Sequence, residues 1–196
     1  EKLLMKFFLR YNNAGLLRQT SYQGSNIDVT YDDYGRQQTL TDPDAGTMNY
    51  VYNAFGELET QTDARNITST MVYDDLGRIY TKTLSTGEVT TYTYNTTGNG
   101  LGLVSLITVS PANTSKSFQY DNLNRITQIT ENVNSHQFTT QYTYNNLGQN
   151  SQIIYPSGFS ISNFYNTKGS LEEIKRTDNG NSIWKLETIN AKGQVT

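Results

Sequence analysis

Bulky and polar residues alternate in short runs that recur through the chain. Residues 50–52 read "YVY", 71–73 "MVY", 92–94 "YTY", 118–120 "FQY" and 142–144 "YTY". A period of two puts both bulky residues on one face of a strand and Val, Thr or Gln on the other. A second run follows each, carrying Leu58, Ile79, Ile126 with Ile129, Ile153, and Leu171 with Ile174. The three-residue spacing of the last pairs breaks strict alternation and predicts a bulge or bend in that second strand.

Between the two runs stands one short phrase, "YDDYGR" at 31–36 and "YDDLGR" at 73–78, with blurred copies "YNAFGE", "YNNLGQ" and "YNTKGS". Its second residue is always Asx: Asn12, Asp32, Asn53, Asp74, Asn95, Asp121, Asn145, Asn166 and Asn190. An Asx side chain can accept a hydrogen bond from the backbone two residues on and so close a tight turn. Three residues later comes Gly15, Gly35, Gly56, Gly77, Gly98, Gly148, Gly169 or Gly193, with Asn124 the exception. A type I turn followed by a bulge needs positive φ in that slot, which Gly takes without strain and Asn tolerates best among the others. The predicted structural turn residues are therefore Asp32 with Gly35, Asn53 with Gly56, Asp74 with Gly77, Asn145 with Gly148, and Asn166 with Gly169.

Units start at Tyr11, Tyr31, Tyr52, Tyr73, Tyr94, Tyr120, Tyr144 and Tyr165, with a degenerate ninth at Ile189, spaced by 20, 21, 21, 21, 26, 24, 21 and 24 residues. Such a period marks a repeat array rather than an ordinary globule. With two strands per unit, residues 1–196 form one all-β array of about nine hairpins in a long antiparallel sheet. Twist accumulates over so many strands, so the sheet should curl. A parallel β-helix with one coil per unit is the competing arrangement, but its coils do not need a reversal in every unit. The far ends of the hairpins are closed by a second set of turns, "DPDAG", "DARN", "STGE", "SPANTS", "ENVNSH", "YPSG" and "DNGN". These distal turns are expected to absorb the extra length of the units at Tyr94 and Tyr120, while the phrase turn keeps its length.

Composition narrows the function classes. The chain has 15 Tyr, 7 Phe and 1 Trp with only 17% charged residues, which suits a turn-rich β-protein and not a disordered tail. The net charge is −3 with no basic run, so nucleic acid is not an expected partner. No apolar stretch reaches the length of a membrane-spanning helix, so membrane insertion is not expected. Cys is absent, which removes disulfides, thiolate zinc sites and thiol catalysis. The first residues, "EKLLMKFFLRYNNAG", read as a strand entering the first unit, and "INAKGQVT" reads as the start of another. Both ends thus read as cut from a longer polypeptide.

The phrase Tyr-Asp-x-x-Gly-Arg at a period near twenty-one, with Tyr-x-Tyr closing the unit, resembles the YD repeat of the RHS/YD-repeat family. "YDDYGRQQTLTDPDAGTMNYVY" and "YDDLGRIYTKTLSTGEVTTYTY" are the nearest copies, and the resemblance runs over essentially the whole chain. It implies antiparallel sheets that spiral into hollow shells. Those shells enclose a C-terminal toxic domain in bacterial polymorphic toxins and insecticidal toxin complexes, and a similar barrel serves adhesion in teneurins. Carbohydrate binding has also been attached to the repeat. The function implied is a non-catalytic shell segment of a secreted or surface bacterial protein, with a carbohydrate- or protein-binding adhesin as the alternative. The partners implied are the remainder of its own chain and, for the adhesin, a glycan; no cofactor is implied. The family's self-cleaving core segment has no match here, and Arg follows the turn glycine only at Arg36 and Arg78, with Arg125 after Asn124.

Candidate chemistry is sparse. Asp32–Asp33 and Asp74–Asp75 sit in the turn slot and read as caps of the reversal rather than acid–base pairs; Glu172–Glu173 is a third carboxylate pair. Asp42, Asp44 and Gly46 lack the remaining oxygens of a calcium loop. His136, the only His, is expected in a long distal turn without a catalytic partner. Asn66, Asn95 and Asn113 match the glycosylation acceptor pattern, which arises by chance in a chain so rich in Asn and Thr. Tyr34 and Tyr80 fall outside the alternating positions and are the expected surface contacts.

Overall fold

The computed structural model describes residues 7–188, so the degenerate unit starting at Ile189, with Asn190 and Gly193, lies outside the described residues. The fold is all-β and antiparallel, as the alternation predicts, and divides into two compact units. The first runs to Thr91 with Ser110–Ala112, and the second comprises Tyr92–Val109 and the chain from Asn113 onward.

In the first unit β1 (Phe7–Tyr11), β2 (Leu17–Tyr22), β3 (Ser25–Tyr31), β4 (Gln37–Asp42), β5 (Gly46–Tyr52), β6 (Leu58–Thr62), β7 (Thr68–Tyr73), β8 (Ile79–Leu84) and the start of β9 (Val89–Tyr94) pair in chain order. In the second unit β10 (Val104–Ser110), β11 (Thr114–Tyr120), β12 (Ile126–Val133), β13 (His136–Tyr144), β14 (Asn150–Ile154), β15 (Ser160–Tyr165), β16 (Leu171–Arg176) and β17 (Ser182–Lys185) do the same. Burial follows the period of two: in β7, Met71 is buried and Tyr73 half-buried, while Thr70 and Val72 on either side of Met71 are exposed. Met71 and Ile161 are the only buried apolar side chains among the described residues, so one sheet layer supplies little core. Stability must therefore come from hydrogen bonds and contacts between successive hairpins.

Every phrase hairpin with a described register carries the same irregularity. Tyr31 pairs with Gln37 but Thr30 with Thr39, leaving Gln38 as an extra residue. The extra residue is Glu59 opposite Tyr52, Tyr80 opposite Tyr73, Thr127 opposite Tyr120, Ser151 opposite Tyr144 and Glu172 opposite Tyr165. This bulge is the physical reason that Ile126–Ile129 and Leu171–Ile174 are spaced by three: one residue is inserted before alternation resumes.

Two length assignments are corrected. In the unit starting at Tyr94 the growth is on the phrase side: Asn95 N–H donates to Leu103 O at 2.9 Å and Gly102 N–H to Asn95 O at 2.9 Å. These two bonds close every other phrase turn among the described residues four residues earlier, so Gly102, not Gly98, fills the turn slot. The segment "NTTGNGLG" can form this longer loop because Gly98, Gly100 and Gly102 all take positive φ. In the unit starting at Tyr120 the strands lengthen instead, to 8 residues in β12 and 9 in β13. They are joined by the two-residue turn Asn134–Ser135, whose φ values of 49° and 65° suit a tight hairpin. His136 is thus the first residue of β13, paired with Val133, and not part of a long turn. Its Nδ1 lies 2.9 Å from Asn134 O.

Candidate functional site

The repeated turn is the most organised chemistry in the molecule. In the unit of Tyr73, Asp74 Oδ1 accepts the backbone N–H groups of Leu76 and Arg78 at 3.0 Å each. The Gly77 N–H donates to Asp74 O at 2.9 Å, and Gly77 has φ of 71°. Asp32 with Gly35, Asn53 with Gly56, Asn145 with Gly148 and Asn166 with Gly169 occupy equivalent places and make the same bonds. The acceptor at the second position and the Cβ-free fourth position together satisfy the backbone where the chain reverses.

Sequence reasoning missed the side chain that follows the glycine. Arg36, Arg78 and Arg125 each pair with the Asx of their own turn, at 2.7 Å to Asp32, 2.6 Å to Asp74 and 2.6 Å to Asp121. Where the Asx is Asn, the partner changes sense: Asn53 Nδ2 donates to Glu57 at 2.7 Å and Asn145 Nδ2 to Gln149 at 2.8 Å. Asp needs a cation; Asn can donate and takes an acceptor. The signal is visible in the sequence, since Arg follows the turn only where Asp opens it. Hydrogen bonds from the Arg78 side chain, then its backbone, hold the Asp74 carboxyl below its ordinary value. For Asp32 and Asp121 desolvation is the largest influence and pushes upward, but the arginine and backbone hydrogen bonds together outweigh it.

The same side chain reaches forward. The Arg36 guanidinium lies 4.6 Å from the Tyr52 ring and that of Arg125 4.3 Å from Tyr144, within cation–π range. Gln149 Nε2 donates to Gly169 O at 2.8 Å. A Cβ on Gly77 would stand 2.9 Å from Glu57 Oε1, so this glycine serves both its own φ and the approach of the preceding turn.

The phrase tyrosine is a second missed element. The register between β4 and β5 ends at Thr39–Asn49, two residues short of Gln37, and Tyr52 Oη donates to Gln37 O at 3.0 Å. Tyr31 does the same to Leu17 O at 2.6 Å, Tyr73 to Leu58 O at 2.8 Å, Tyr120 to Val104 O at 2.7 Å, Tyr144 to Ile126 O at 2.7 Å and Tyr165 to Asn150 O at 2.7 Å. Successive hairpins stop pairing near the phrase edge, and the tyrosine hydroxyl bridges the gap. Burial pushes the Tyr73, Tyr120 and Tyr144 hydroxyls above their ordinary pKa. These rings are clasps between repeats, which explains why the position is Tyr and not Phe.

Asn124, the one non-glycine in the turn slot, has φ of 60° and accepts the Gly100 N–H on Oδ1 at 2.8 Å. It thereby ties the long loop of the preceding unit to its own turn. Tyr34 lies at the tip of its turn, 84% exposed, with the Arg36 guanidinium 5.0 Å from its ring. Tyr80 is the extra residue of its bulge and half exposed. The structure does not bring the two together. No group of three or more His, Asp or Glu able to hold a metal occurs among the described residues.

The teneurin YD-shell family model matches residues 104–190. No curated protein matches the sequence. Among solved structures, a crystal structure of TcdB2-TccC3-TEV is similar over 97% of this chain, with a TM-score of 0.75 and 15% identity. The Photorhabdus luminescens Tc holotoxin pore is similar over 91% with a TM-score of 0.69 and 15% identity. TcdB2-TccC3 without its hypervariable C-terminal region is similar over 97% with a TM-score of 0.63 and 14% identity. The chain spans only 11%, 11% and 13% of those chains. The repeat phrase recurs in hairpins from Tyr11 to Tyr165 and the YD-shell model matches residues 104–190, so the chain resembles the RHS/YD-repeat family and shares the fold of these toxin structures.

Proposed function

We propose that the chain is a non-catalytic structural segment of the YD-repeat shell of a large secreted or surface-exposed bacterial toxin-like protein. Its wall encloses or presents a C-terminal effector, and its partners are the further repeats of the same polypeptide. One observation carries the reading: 97% of the chain follows the fold of a Tc toxin structure while spanning 11% of it, as expected of a segment of wall. The clasp–turn–bulge unit supports it, because each hairpin is built to bind the next rather than to bind a small ligand. The test is the full open reading frame and the protein it encodes. The reading predicts further YD repeats and a downstream effector domain that resists protease until the shell is denatured. An effector equally digestible in native and denatured protein, or a native gene without further repeats, refutes it.

A second reading, a carbohydrate- or protein-binding adhesin, is supported by the exposure of Tyr34 and Tyr80. An aromatic face open to solvent can stack on a sugar ring. Saturable glycan-array binding that is lost in Tyr34→Ala or Tyr80→Ala favours it; a blank array removes the glycan form of it.

A further inference from the structure

The residue just before the positive-φ slot of each phrase turn stands at the tip of the hairpin. In the first unit these are Ala14, Tyr34, Phe55 and Leu76, and the three large side chains are 84%, 91% and 75% exposed. The second unit has its own set, Leu101, Leu123 and Leu147, also exposed. Turn chemistry does not demand an apolar side chain there. Lys168 holds the same slot, and its N–H makes the same bond to Asn166 Oδ1 at 3.0 Å. The long loop underlines the point: although its turn closes at Gly102 rather than Gly98, a leucine, Leu101, still precedes the glycine. Apolar tips kept where the backbone is indifferent mark an interaction surface.

The same edge of the first unit also carries sockets. One hollow of about 660 Å³ lies between the turns of Tyr52 and Tyr73 and is lined by Asn53, Phe55, Glu57, Asp74 and Gly77. A second of about 410 Å³ lies between the turns of Tyr11 and Tyr31, beside Ala14, Asp32 and Gly35. Tips recur every two strands, about 10 Å apart at a strand spacing of about 4.8 Å, and the two sockets stand two such steps apart. An edge whose holes are spaced by a whole multiple of its knob pitch is complementary to itself. The geometry points to a second copy of this chain docking antiparallel, edge to edge, on the tips Tyr34, Phe55 and Leu76.

The commensurate spacing fixes the register. Seating Tyr34 in the partner's socket beside Phe55 sets Leu76 over the partner's socket beside Ala14. Phe55 then falls between the partner's Tyr34 and the partner's Phe55, so all three tips find gaps at once. Three such side chains at these exposures offer about 500 Å² per copy, or about 1,000 Å² in total. That is the lower bound of a specific interface, so the dimer is weak and concentration-dependent. The carboxylates lining the two sockets, Asp33, Glu59 and Asp75 among them, outnumber the one cation there, Arg18, so two copies repel across the edge. Salt should therefore strengthen association, since at 0.1 M ionic strength repulsion between exposed charges more than about 10 Å apart is largely screened. This surface stands independently of the shell reading.

The test is sedimentation velocity of the whole chain over a concentration series, at low and moderate salt. A monomer–dimer equilibrium is expected that tightens with salt and weakens at least tenfold in Phe55→Asp, while Lys168→Asp leaves it unchanged. Far-UV circular dichroism of Phe55→Asp should match the parent, because the slot tolerates a charged residue. The sequence contains no Cys, so Phe55→Cys introduces the only thiol. It should form a disulfide-linked dimer under mild oxidation well ahead of Thr86→Cys on the distal side. A chain monomeric at all concentrations, a dimer untouched by Phe55→Asp, or equal cross-linking of the two cysteine variants overturns the proposal. So does a row that binds lipid vesicles but not itself.

Discussion

Removing one hydroxyl tests the clasp between repeats. Tyr73→Phe keeps the ring and its packing but deletes the bond to Leu58 O at 2.8 Å. A buried neutral hydrogen bond is worth about 0.5–1.5 kcal/mol net, and a stranded carbonyl adds to the loss where water cannot reach it. Tyr73 is half-buried, so the expected cost is about 1 kcal/mol. In a chain of 196 residues that lowers the melting temperature by about 2–4 °C. Tyr80→Phe removes a hydroxyl from the half-exposed bulge residue seven positions on and should change the melt by less than a degree or so. Because repeat arrays open locally, amide exchange along β6 and β7 should rise more than exchange in distant hairpins. The clasp also titrates. Burial, and then the Glu57 carboxylate, raise the Tyr73 pKa above its ordinary value of 10.0. A group raised on folding stabilises fully below its unfolded pKa, and that contribution fades as pH climbs through the folded value. The parent should therefore lose stability above pH 10, and Tyr73→Phe should lose less over the same range. Urea melts of the parent and both variants between pH 8 and pH 11, with tyrosinate absorbance as monitor, decide it. If Tyr73→Phe and Tyr80→Phe melt alike at neutral pH, the clasp contributes nothing and the reasoning fails.

Gly77→Val should cost more than about 1 kcal/mol, because a β-branched residue resists φ of 71° and its Cβ meets Glu57 Oε1, whereas Thr86→Val in a distal turn should be near silent; equal urea midpoints refute the turn assignment. Asp74→Asn should destabilise by leaving Arg78 without its anion, and Asp74→Asn with Arg78→Gln should recover part of the loss by reproducing the Asn145–Gln149 pair; a double variant melting below the single one contradicts the pairing rule. The Asp74 carboxyl is depressed on folding, so its contribution is present above the unfolded carboxylate pKa and is lost as pH falls through the folded value; the acid limb of a stability–pH curve should flatten in that double variant. Asn124→Gly keeps the positive φ but deletes the bond to Gly100, so exchange of the Gly100 amide should quicken about tenfold with little change in the global melt.

Local chemistry was legible wherever a feature closes within six residues. The Asx acceptor, the positive-φ slot and the two-residue alternation each depend on neighbours along the chain, so Asp74, Gly77 and the run 71–73 announce themselves. The spacing of Ile126 and Ile129 even betrayed the bulge, because an inserted residue must shift the phase of everything after it. Length bookkeeping failed where two solutions cost the same. Four extra residues after Tyr94 could enter either end of the hairpin, and only the bond of Gly102 to Asn95 puts them on the phrase side. The longer β12 and β13 likewise needed Asn134 and Ser135 to be seen at positive φ before the expected loop became a tight turn.

What the sequence alone determined is the unit: two strands, a phrase turn and a repeat near twenty-one residues, each enforced by backbone sterics and by hydrogen bonds within one hairpin. What only the tertiary structure decided is how one hairpin holds the next. The Tyr73 hydroxyl on Leu58, the Arg36 guanidinium over Tyr52 and the Asn124 amide on Gly100 join residues 15 to 24 positions apart, at distances no periodicity encodes. A repeating pattern states which residues recur, but the partner of a side chain that leaves its own hairpin is set by where adjacent strands stop pairing, and that is a property of the assembled sheet.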